Sequence, residues 1–315
     1  MAVAFVFPGQ GSQAVGMGKA LAGAFAAARA VFGEVDEALG QKLSQLMWEG
    51  PEAELTLTEN AQPALMAVSM AVIRVLEAEH GITVANTAKF VAGHSLGEYS
   101  ALAAAGAFAL ADAARLLKTR GKAMQAATPV GVGAMAAVLG LDHDAVAAVA
   151  QEARQGQICH AANDNSDGQV VISGHKAAVE RAMEIAKAKG AKRAILLPVS
   201  APFHCALMHP AAEVMAGALS HVHMHAPAVP LVANMTAHAI DDPVKIKARL
   251  IEQVTGTVRW RESVGYMAAQ GVTRFVEIGA GKVLTGLLKK NAPAATGLAI
   301  GTPDDIAAAA QLKQG

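Results

Sequence analysis

The chain has 315 residues, 53% of them hydrophobic and only 4% aromatic, and its 26 basic and 26 acidic residues leave no formal net charge. This length suffices for one large or two modest domains, and the balanced charge argues against nucleic-acid binding, which usually needs a basic stripe. With only two cysteines, Cys159 and Cys205, the sequence excludes a disulfide framework and a paired-cysteine zinc signature.

Hydrophobic periodicity predicts an α/β chain that begins with a buried strand at residues 3–7. The N-terminal apolar segment is far too short for a secretion signal or a membrane span, so we expect a cytoplasmic protein without a membrane partner. Helices are predicted from there to about residue 50, then at 62–79 and at 111–127, with a short strand at 88–92 between the last two.

A second unit is predicted after the Pro- and Gly-rich segment at residues 128–133. Its pattern predicts, in order, a strand at 134–139, a helix at 142–154, two strands at 158–162 and 169–173, a helix at 175–188 and a strand at 194–199. This β-α-β-β-α-β order is the ferredoxin-like signature. We therefore predict a small domain at residues 129–198, inserted into a larger domain at residues 1–128 and 199–315. The larger domain is predicted to end with a helix at 210–219, a strand at 230–234, a helix ending near 255, a last strand at 275–278 and a final helix.

Residues 93–97 read Gly-His-Ser-Leu-Gly, a G-x-S-x-G pattern between a predicted strand and a predicted helix. A strand, a turn flanked by glycines and a helix form the context of a nucleophile elbow, which exposes the serine hydroxyl. The amides that open the following helix point toward any anion that forms there. Ser95 is therefore the candidate nucleophile, and the alternative is a surface serine in a glycine-rich turn.

A nucleophilic serine needs a base, and His204 is the best placed of the eleven histidines. It follows the predicted strand at 194–199, and catalytic residues of α/β sheets gather at the carboxyl ends of strands. A structural or solvated loop histidine is the alternative.

The other histidines are less well placed to act as the base. His94 adjoins Ser95, but neighbours across a tight turn rarely face each other. The alternating histidines at 221–225 predict a solvated strand edge, since no acidic or cysteine ligand lies beside them.

Arg120 lies on the apolar stripe of the predicted helix at 111–127, one turn after Leu116 and Leu117. A charge on a core-facing stripe must find an anion or reach water. Its guanidinium can hold a substrate carboxylate through two parallel hydrogen bonds. The alternatives are a structural salt bridge and a side chain whose charged end reaches solvent.

Gln253 lies at the end of a predicted helix, shortly before Gly256, which is predicted to be its left-handed C-terminal glycine. The carbonyls of a last helical turn lack helical donors. One of them can accept a hydrogen bond from a histidine ring and fix its tautomer, in place of the acid of a catalytic triad. Ordinary helix capping is the alternative.

Two further sequence patterns resemble functional motifs but have simpler structural explanations. Residues 9–14 match the loose dinucleotide-binding pattern G-x-G-x-x-A, but Glu34 and Asp36 lie in a helical stretch rather than at a second strand end. We therefore do not predict NAD binding. Asp167-Gly168 stands between two predicted strands, so a hairpin turn explains it better than a serine–aspartate hydrolase dyad.

Taken together, the chain resembles the malonyl-CoA:acyl carrier protein transacylases of type II fatty acid synthesis over nearly its whole length. The matching motifs are FPGQGSQ at 7–13, GHSLGEYSAL at 93–102, RGKAMQ at 120–125, QVVISG at 169–174, FHCALM at 203–208 and GKVLTGL at 281–287. The resemblance implies an α/β-hydrolase-like core with an inserted ferredoxin-like small domain.

The resemblance also implies a role for each matching residue. Ser95 is the nucleophile and His204 the base, and Arg120 binds the malonyl carboxylate. The other implied roles are an oxyanion hole from the amides of Gln10 and Leu96, a main-chain carbonyl of Gln253 that orients His204, and substrate contacts by Asn163 and Phe203. Phe203 matches the malonyl-selective pattern, whereas methylmalonyl-selective relatives usually have serine there.

The implied activity moves a malonyl group from malonyl-CoA, a substrate, to the phosphopantetheine thiol of acyl carrier protein through a malonyl-serine. It needs no metal and no other cofactor, and we expect a monomer. A serine esterase or thioesterase is the alternative, although the missing triad acid and the cleft arginine argue against it. A non-catalytic module that docks a carrier protein is a third possibility, which the intact catalytic residues disfavour.

Departures from the family pattern fall in loops. Thr257 and Ala280 stand where the family usually has proline, and Asp167 replaces a common turn proline. The family's carrier protein is acidic, so docking is expected to use basic residues. A basic cluster follows the second helix of the predicted small domain and comprises Lys187, Lys189, Lys192 and Arg193.

Overall fold

A computed structural model describes residues 2–313 of the chain. Met1, Gln314 and Gly315, which the predicted domain bounds include, lie outside the described residues. The strands are β1 (Ala2–Phe7), β2 (Ala88–Gly93), β3 (Gly133–Leu139), β4 (Cys159–Ser166), β5 (Gln169–His175), β6 (Arg193–Leu196), β7 (Leu231–Val232), β8 (Ala239–Ile240), β9 (Val272–Ile278) and β10 (Thr296–Ile300).

The helices precede, separate and follow these strands. They are α1 (Lys19–Ala24), α2 (Ala26–Leu39), α3 (Leu43–Glu49), α4 (Glu52–Thr56), α5 (Thr58–His80), α6 (Val84–Thr87), α7 (Gly97–Ala104), α8 (Leu110–Ala126), α9 (His143–Ala153), α10 (Lys176–Ala188), α11 (His209–Ser220), α12 (Pro243–Gln253), α13 (Trp260–Ala269), α14 (Val283–Asn291) and α15 (Pro303–Ala308). The chain is thus a mixed α/β protein, as the periodicity predicts.

The larger sheet has six strands in the order β10-β9-β1-β2-β7-β8, and all neighbours are parallel except β7 and β8. Parallel strands are covered on both faces, which explains the almost continuous apolar sequence of β1. Successive side chains of a strand point to opposite faces. Phe5 and Phe7 accordingly belong to the apolar cluster that includes α5 and α8 on one face, whereas Ala4 and Val6 belong to the cluster that includes α13 and α14 on the other.

Helix α5 is the central helix of the larger core. By length and composition alone it could cross a membrane, but 83% of its most apolar window is buried inside the protein. It begins at Thr58 rather than near residue 62, and it continues through Pro63. Its apolar sequence therefore reflects packing on every side.

The smaller sheet has four antiparallel strands in the order β4-β5-β3-β6. Helices α9 and α10 cover one of its faces and share with it an apolar cluster of their own. The β-α-β-β-α-β order of this unit is the order that the sequence predicts. The other side of the sheet, which includes Met135 and Val171, faces the larger core.

Several predicted boundaries are wrong. Strand β6 ends at Leu196, so the following residues form a loop rather than strand. Strand β9 is not the last one, because α14 leads on to β10 and α15. β10 is a partly exposed edge strand that contains Gly297, and such a strand lacks the apolar run that marks a buried one. The histidines at 221–225 lie in the loop after α11, not on a strand.

Candidate active site

Ser95 lies in the sharp turn between β2 and α7, with a left-handed φ of 53°. Glycine is required on both sides of Ser95, at Gly93 and Gly97, because other backbone segments pass too close to leave room for a side chain. A Cβ on Gly93 would lie 1.9 Å from the carbonyl carbon of Gly97, and one on Gly97 would lie 2.3 Å from the carbonyl oxygen of Phe7. The turn therefore has the geometry of a nucleophile elbow, in which strain presents the serine hydroxyl.

His204 lies across from Ser95, although 109 residues separate them in sequence. The serine Oγ is 2.7 Å from His204 Nε2, and His204 Nδ1 is 2.8 Å from the main-chain oxygen of Gln253. A carbonyl only accepts, so Nδ1 carries the proton and Nε2 is free to accept the serine proton. Burial, followed by the charge of Arg120, lowers the pKa of His204 to about 3 and keeps the ring neutral.

Gln253 is the last residue of α12, so its carbonyl is among those that the helix leaves without a donor. The predicted reason for the helix end is wrong. Gly256 does not have a left-handed φ, and its missing side chain instead makes room for Met235, whose Sδ would lie 2.4 Å from a Cβ there. Thr257, which departs from the family pattern, donates from its hydroxyl to the oxygen of Ala161 at 2.8 Å.

Arg120 is 1% exposed and projects from α8 toward Ser95. Its Nη1 donates to Gln62 Oε1 at 2.7 Å, and its Nη2 donates to Gln253 Oε1 at 2.8 Å. Nη2 also lies 3.2 Å from Ser95 Oγ. Within residues 2–313 no carboxylate lies within 4.0 Å of the guanidinium, which excludes the structural salt bridge there. Among the described residues, the buried cation beside the Ser95 hydroxyl therefore has no direct counter-ion.

The backbone amides of Gln10 and Leu96 belong to residues that line the same cleft as Ser95. In the described part of the chain neither amide donates a hydrogen bond. Leu96 precedes the first turn of α7, whose amides favour negative charge. The side chain of Gln10 accepts from Thr58 Oγ1 at 2.8 Å, which fixes the loop that presents its amide. Two free donors next to a serine can receive a developing oxyanion.

A cleft of about 610 Å³ lies at Ser95, between the smaller sheet and the loops that follow β1 and β2. The predicted site residues that line it are Gln10, Ser95, Leu96, Arg120, Asn163, Phe203 and His204. Gln253 does not line the cleft itself, but it bonds three residues that do, namely Ser95, Arg120 and His204. Asn163 belongs to β4, and its bridge to Val258 ties the smaller sheet to the larger unit. The cleft is therefore formed by strands of the smaller sheet together with loops and helices of the larger unit.

The sequence analysis missed Glu98 and Asn234, which support the elbow from below. Asn234 Oδ1 accepts from the main-chain amide of Ser95 at 2.9 Å, and the main-chain amide of Asn234 donates to Glu98 Oε1 at 2.8 Å. Glu98 is 1% exposed, and burial raises its pKa to about 7. Glu98 could have been found from the sequence, because a charged residue within an apolar helix is the kind of signal that identified Arg120. Asn234 could not, because a single asparagine in a loop carries no such signal.

His94 turns away from Ser95, as predicted, and its Nε2 lies 2.8 Å from Asn165 Oδ1. Within residues 2–313 no group of three or more potential metal ligands is arranged around a common point.

Comparison with known proteins agrees with this geometry. A model of the acyl transferase domain family matches residues 4–300. The chain is 48% identical over 309 residues to the malonyl CoA-acyl carrier protein transacylase of Escherichia coli (strain K12), and the match covers 98% of this chain and 99% of that protein.

Solved structures are similar over the whole chain. The acyl-carrier-protein-S-malonyltransferase of Bartonella henselae has a TM-score of 0.97 and 57% identity, and covers 99% of this chain and 100% of its own. A malonyl-transacylase solved with the acyl-carrier protein of a type II PKS has a TM-score of 0.95 and 43% identity, with 100% of both chains covered. The resemblance predicted from the motifs is thus confirmed, and the chain belongs to the acyl transferase family, among its malonyl CoA-acyl carrier protein transacylases.

Proposed function

We propose that this enzyme transfers a malonyl group from malonyl-CoA to the phosphopantetheine thiol of acyl carrier protein through a malonyl-Ser95 intermediate. One observation carries the proposal. A serine on an elbow is paired with a neutral histidine, and a buried guanidinium lies 3.2 Å from the same hydroxyl, with no carboxylate within 4.0 Å of it among residues 2–313. A nucleophile and a carboxylate receptor at that separation suit an acyl group with a carboxylate at its far end.

In the first half-reaction His204 Nε2 takes the proton of Ser95 as its Oγ attacks the thioester carbonyl. The amides of Gln10 and Leu96 stabilise the oxyanion of the tetrahedral intermediate. The C–S bond then breaks, and the imidazolium returns the proton to the leaving CoA thiolate. The main-chain oxygen of Gln253 holds the ring in the required tautomer throughout, 2.8 Å from Nδ1.

In the second half-reaction the carrier thiol takes the place of CoA and attacks malonyl-Ser95 after His204 removes its proton. Collapse of the second intermediate releases the malonyl thioester and returns the proton to Ser95. The sequence is ping-pong, and every step exchanges one acyl acceptor for another without a change of oxidation state. We therefore propose that no metal or redox cofactor takes part.

We also propose that residues 129–198 form a ferredoxin-like small domain, and that residues 1–128 and 199–315 form an α/β-hydrolase-like core. The antiparallel order β6-β3-β5-β4 with α9 and α10 on one face supports the first assignment. The elbow between a parallel strand and a helix supports the second. A cytoplasmic location is consistent with Cys159 and Cys205, which are free thiols in the interior.

Brief incubation with labelled malonyl-CoA, followed by quenching, tests the proposed function. We expect a stable label on Ser95 that is discharged by carrier protein and by CoA. Rapid release of free malonate without transfer would instead identify a thioesterase or esterase. A protein that binds carrier but neither takes up label nor releases malonate would be a docking module, and either of these two outcomes would overturn the proposal.

His204→Ala is expected to leave the fold intact and to slow acylation by a factor of about 10² to 10⁴, the usual contribution of general-base catalysis. Pre-steady-state labelling measures the acylation rate. His80→Ala is the matched control, because the His80 ring also bonds a main-chain oxygen, that of Ile306 at 2.9 Å, but does so away from the cleft. Turnover near that of wild type in His204→Ala would remove His204 from the mechanism.

The four basic residues of the predicted docking cluster differ in their contacts. Lys187 pairs with Glu184 at 2.8 Å and Lys189 with Glu152 at 2.5 Å, so part of their charge is already compensated. Lys192 and Arg193 instead line a groove with Lys290, Asp142 and Asp167. Arg193 also begins β6, and the chain that leaves this strand lines the cleft from Leu197 onward.

Reversing Lys189 and Arg193 to glutamate is expected to raise the KM for carrier protein, because an acidic partner would meet like charge. The labelling of Ser95 by malonyl-CoA should not change. Reversal of Lys42 and Arg74, two exposed basic residues on other elements, is the control for net charge. A carrier KM that responds equally to both pairs, or to neither, would place the docking surface elsewhere.

A further inference from the structure

Glu98 is a buried acid that the mechanism above does not use. Within residues 2–313 two other carboxylates are as deeply buried, and each has an evident structural role. Asp164 pairs with Arg261 at 2.8 Å. Glu277, on β9, accepts from the amides of Leu284 and Thr285 and so caps the N-terminus of α14.

Glu98 differs from both, because its two oxygens meet groups that hold the catalytic residues. Oε1 accepts from the amide of Asn234, whose side chain in turn accepts from the amide of Ser95. Oε2 accepts from Nε2 of Gln253. In the described part of the chain no basic nitrogen lies within 4.0 Å of Glu98, so ion pairing does not explain its place.

The side chain of Gln253 spans the space between Glu98 and Arg120. Its Nε2 donates to Glu98 and, at 2.9 Å, to the main-chain oxygen of Ser95. Its Oε1 accepts from Arg120 Nη2 at 2.8 Å. Both oxygens of Glu98 accept hydrogen bonds, and a guanidinium can only donate, so these two groups together permit a single orientation of the Gln253 amide.

We propose that Glu98 is a positioning residue for this acyl transfer, and that it acts by fixing the Gln253 amide so that Arg120 is aimed at the carboxylate of the acyl group. The proposal rests on the proposed function and names a determinant of its selectivity. The same Gln253 holds His204 through its main-chain oxygen. Glu98 thereby supports the carboxylate receptor and, less directly, the base.

Glu98→Gln tests this orientation with almost no change of shape. The new amide can still accept from Asn234 through its oxygen, but it must then turn its NH₂ group toward Nε2 of Gln253. Two donors would face each other, and turning Gln253 over would set its NH₂ group against Arg120. In either case Arg120 loses a fixed partner, and recognition of a carboxylate should suffer more than recognition of an uncharged acyl group.

The measurement is kcat/KM for malonyl-CoA and for acetyl-CoA. Glu98→Gln is expected to lower the ratio of kcat/KM for malonyl-CoA to kcat/KM for acetyl-CoA by about 10- to 100-fold, the range for loss of a charge-assisted hydrogen bond. Glu277→Gln is the matched control, since it neutralises an equally buried carboxylate away from the cleft. It should lower the temperature of unfolding and leave the ratio as in wild type.

A double-mutant cycle tests whether the effect runs through Gln253. Gln253→Met keeps the main-chain oxygen for His204 but removes the amide. In that background Glu98→Gln is expected to change the ratio little further. A full effect of Glu98→Gln in both backgrounds, or a ratio that Glu98→Gln leaves unchanged, would overturn the proposal.

Two further outcomes are decisive. If Glu98→Gln does not fold, Gln253→Met alone must lower the malonyl-to-acetyl ratio, and an unchanged ratio in that variant overturns the proposal. If wild type forms no malonyl-enzyme at all, the proposed function itself fails. A wild type that labels normally, beside variants with an unchanged ratio, rejects only the role of Glu98.

Discussion

Ser95→Ala is expected to abolish the covalent malonyl-enzyme and with it all transfer to carrier protein. The hydroxyl of Ser95 is the one that His204 Nε2 contacts, at 2.7 Å, and a methyl group cannot carry the acyl group. The fold should persist, because alanine leaves the amide of residue 95 free to donate to Asn234, at 2.9 Å in the native protein. The intact mass of the protein after incubation with malonyl-CoA measures the intermediate directly.

Ser100→Ala provides the matched control. Ser100 lies on α7, only a few residues from Ser95, and its hydroxyl is buried without a hydrogen-bond partner in the described part of the chain. After incubation with malonyl-CoA, the Ser100→Ala protein should increase in mass by one malonyl group, as the wild type does. A malonyl adduct on the Ser95→Ala protein would show that another residue carries the acyl group.

Arg120→Ala is expected to lower kcat/KM for malonyl-CoA by about 30- to 5,000-fold, which corresponds to about 2–5 kcal/mol for a buried charge that loses its partner. The substrate carboxylate would enter a partly dry site with no cation to receive it. An acetyl group carries no such charge, so transfer from acetyl-CoA should gain relative to malonyl-CoA. The variant also leaves the side-chain oxygens of Gln62 and Gln253 without their donor, which should lower the temperature of unfolding.

Two variants separate charge recognition from folding. Arg115→Ala, on the exposed side of the same helix, should leave both kinetic constants close to wild type. Arg120→Lys retains the charge but loses the planar pair of donors, so it should fall between wild type and Arg120→Ala. If malonyl-CoA and acetyl-CoA lose the same factor in Arg120→Ala, then Arg120 is a structural residue and the carboxylate binds elsewhere.

The geometry of the turn at Ser95 could be predicted because its causes are contiguous in the sequence. Gly93 and Gly97 are required by backbone approaches within one strand–turn–helix segment, and Ser95 stands between them. Arg120 could be predicted for a similar reason, since its position on an apolar stripe follows from the helical repeat alone. The family motifs added Gln10, which no local pattern assigns, and they selected the carbonyl of Gln253 among those that the end of its helix leaves without a donor.

Elements at the sheet edges were predicted least well. Strand β6 is an edge strand, mostly exposed and shorter than its apolar sequence indicates, because pairing with β3 ends at Leu196. Strand β10 lies at the other sheet's edge and was missed. Edge strands bury less side-chain surface, so their sequences carry a weaker periodic signal.

The sequence by itself determined the α/β class, the order of most elements, the strained turn at Ser95 and the charged position on α8. Only the tertiary structure decided which distant segments meet beneath that turn. Gln253 lies 49 residues from His204 and 155 from Glu98, yet it bonds both. The physical reason is that periodicity and turn chemistry act over a few residues, whereas the partners of a buried polar group depend on which elements pack together. Each group must find a partner once it is buried, and that partner can come from anywhere in the chain.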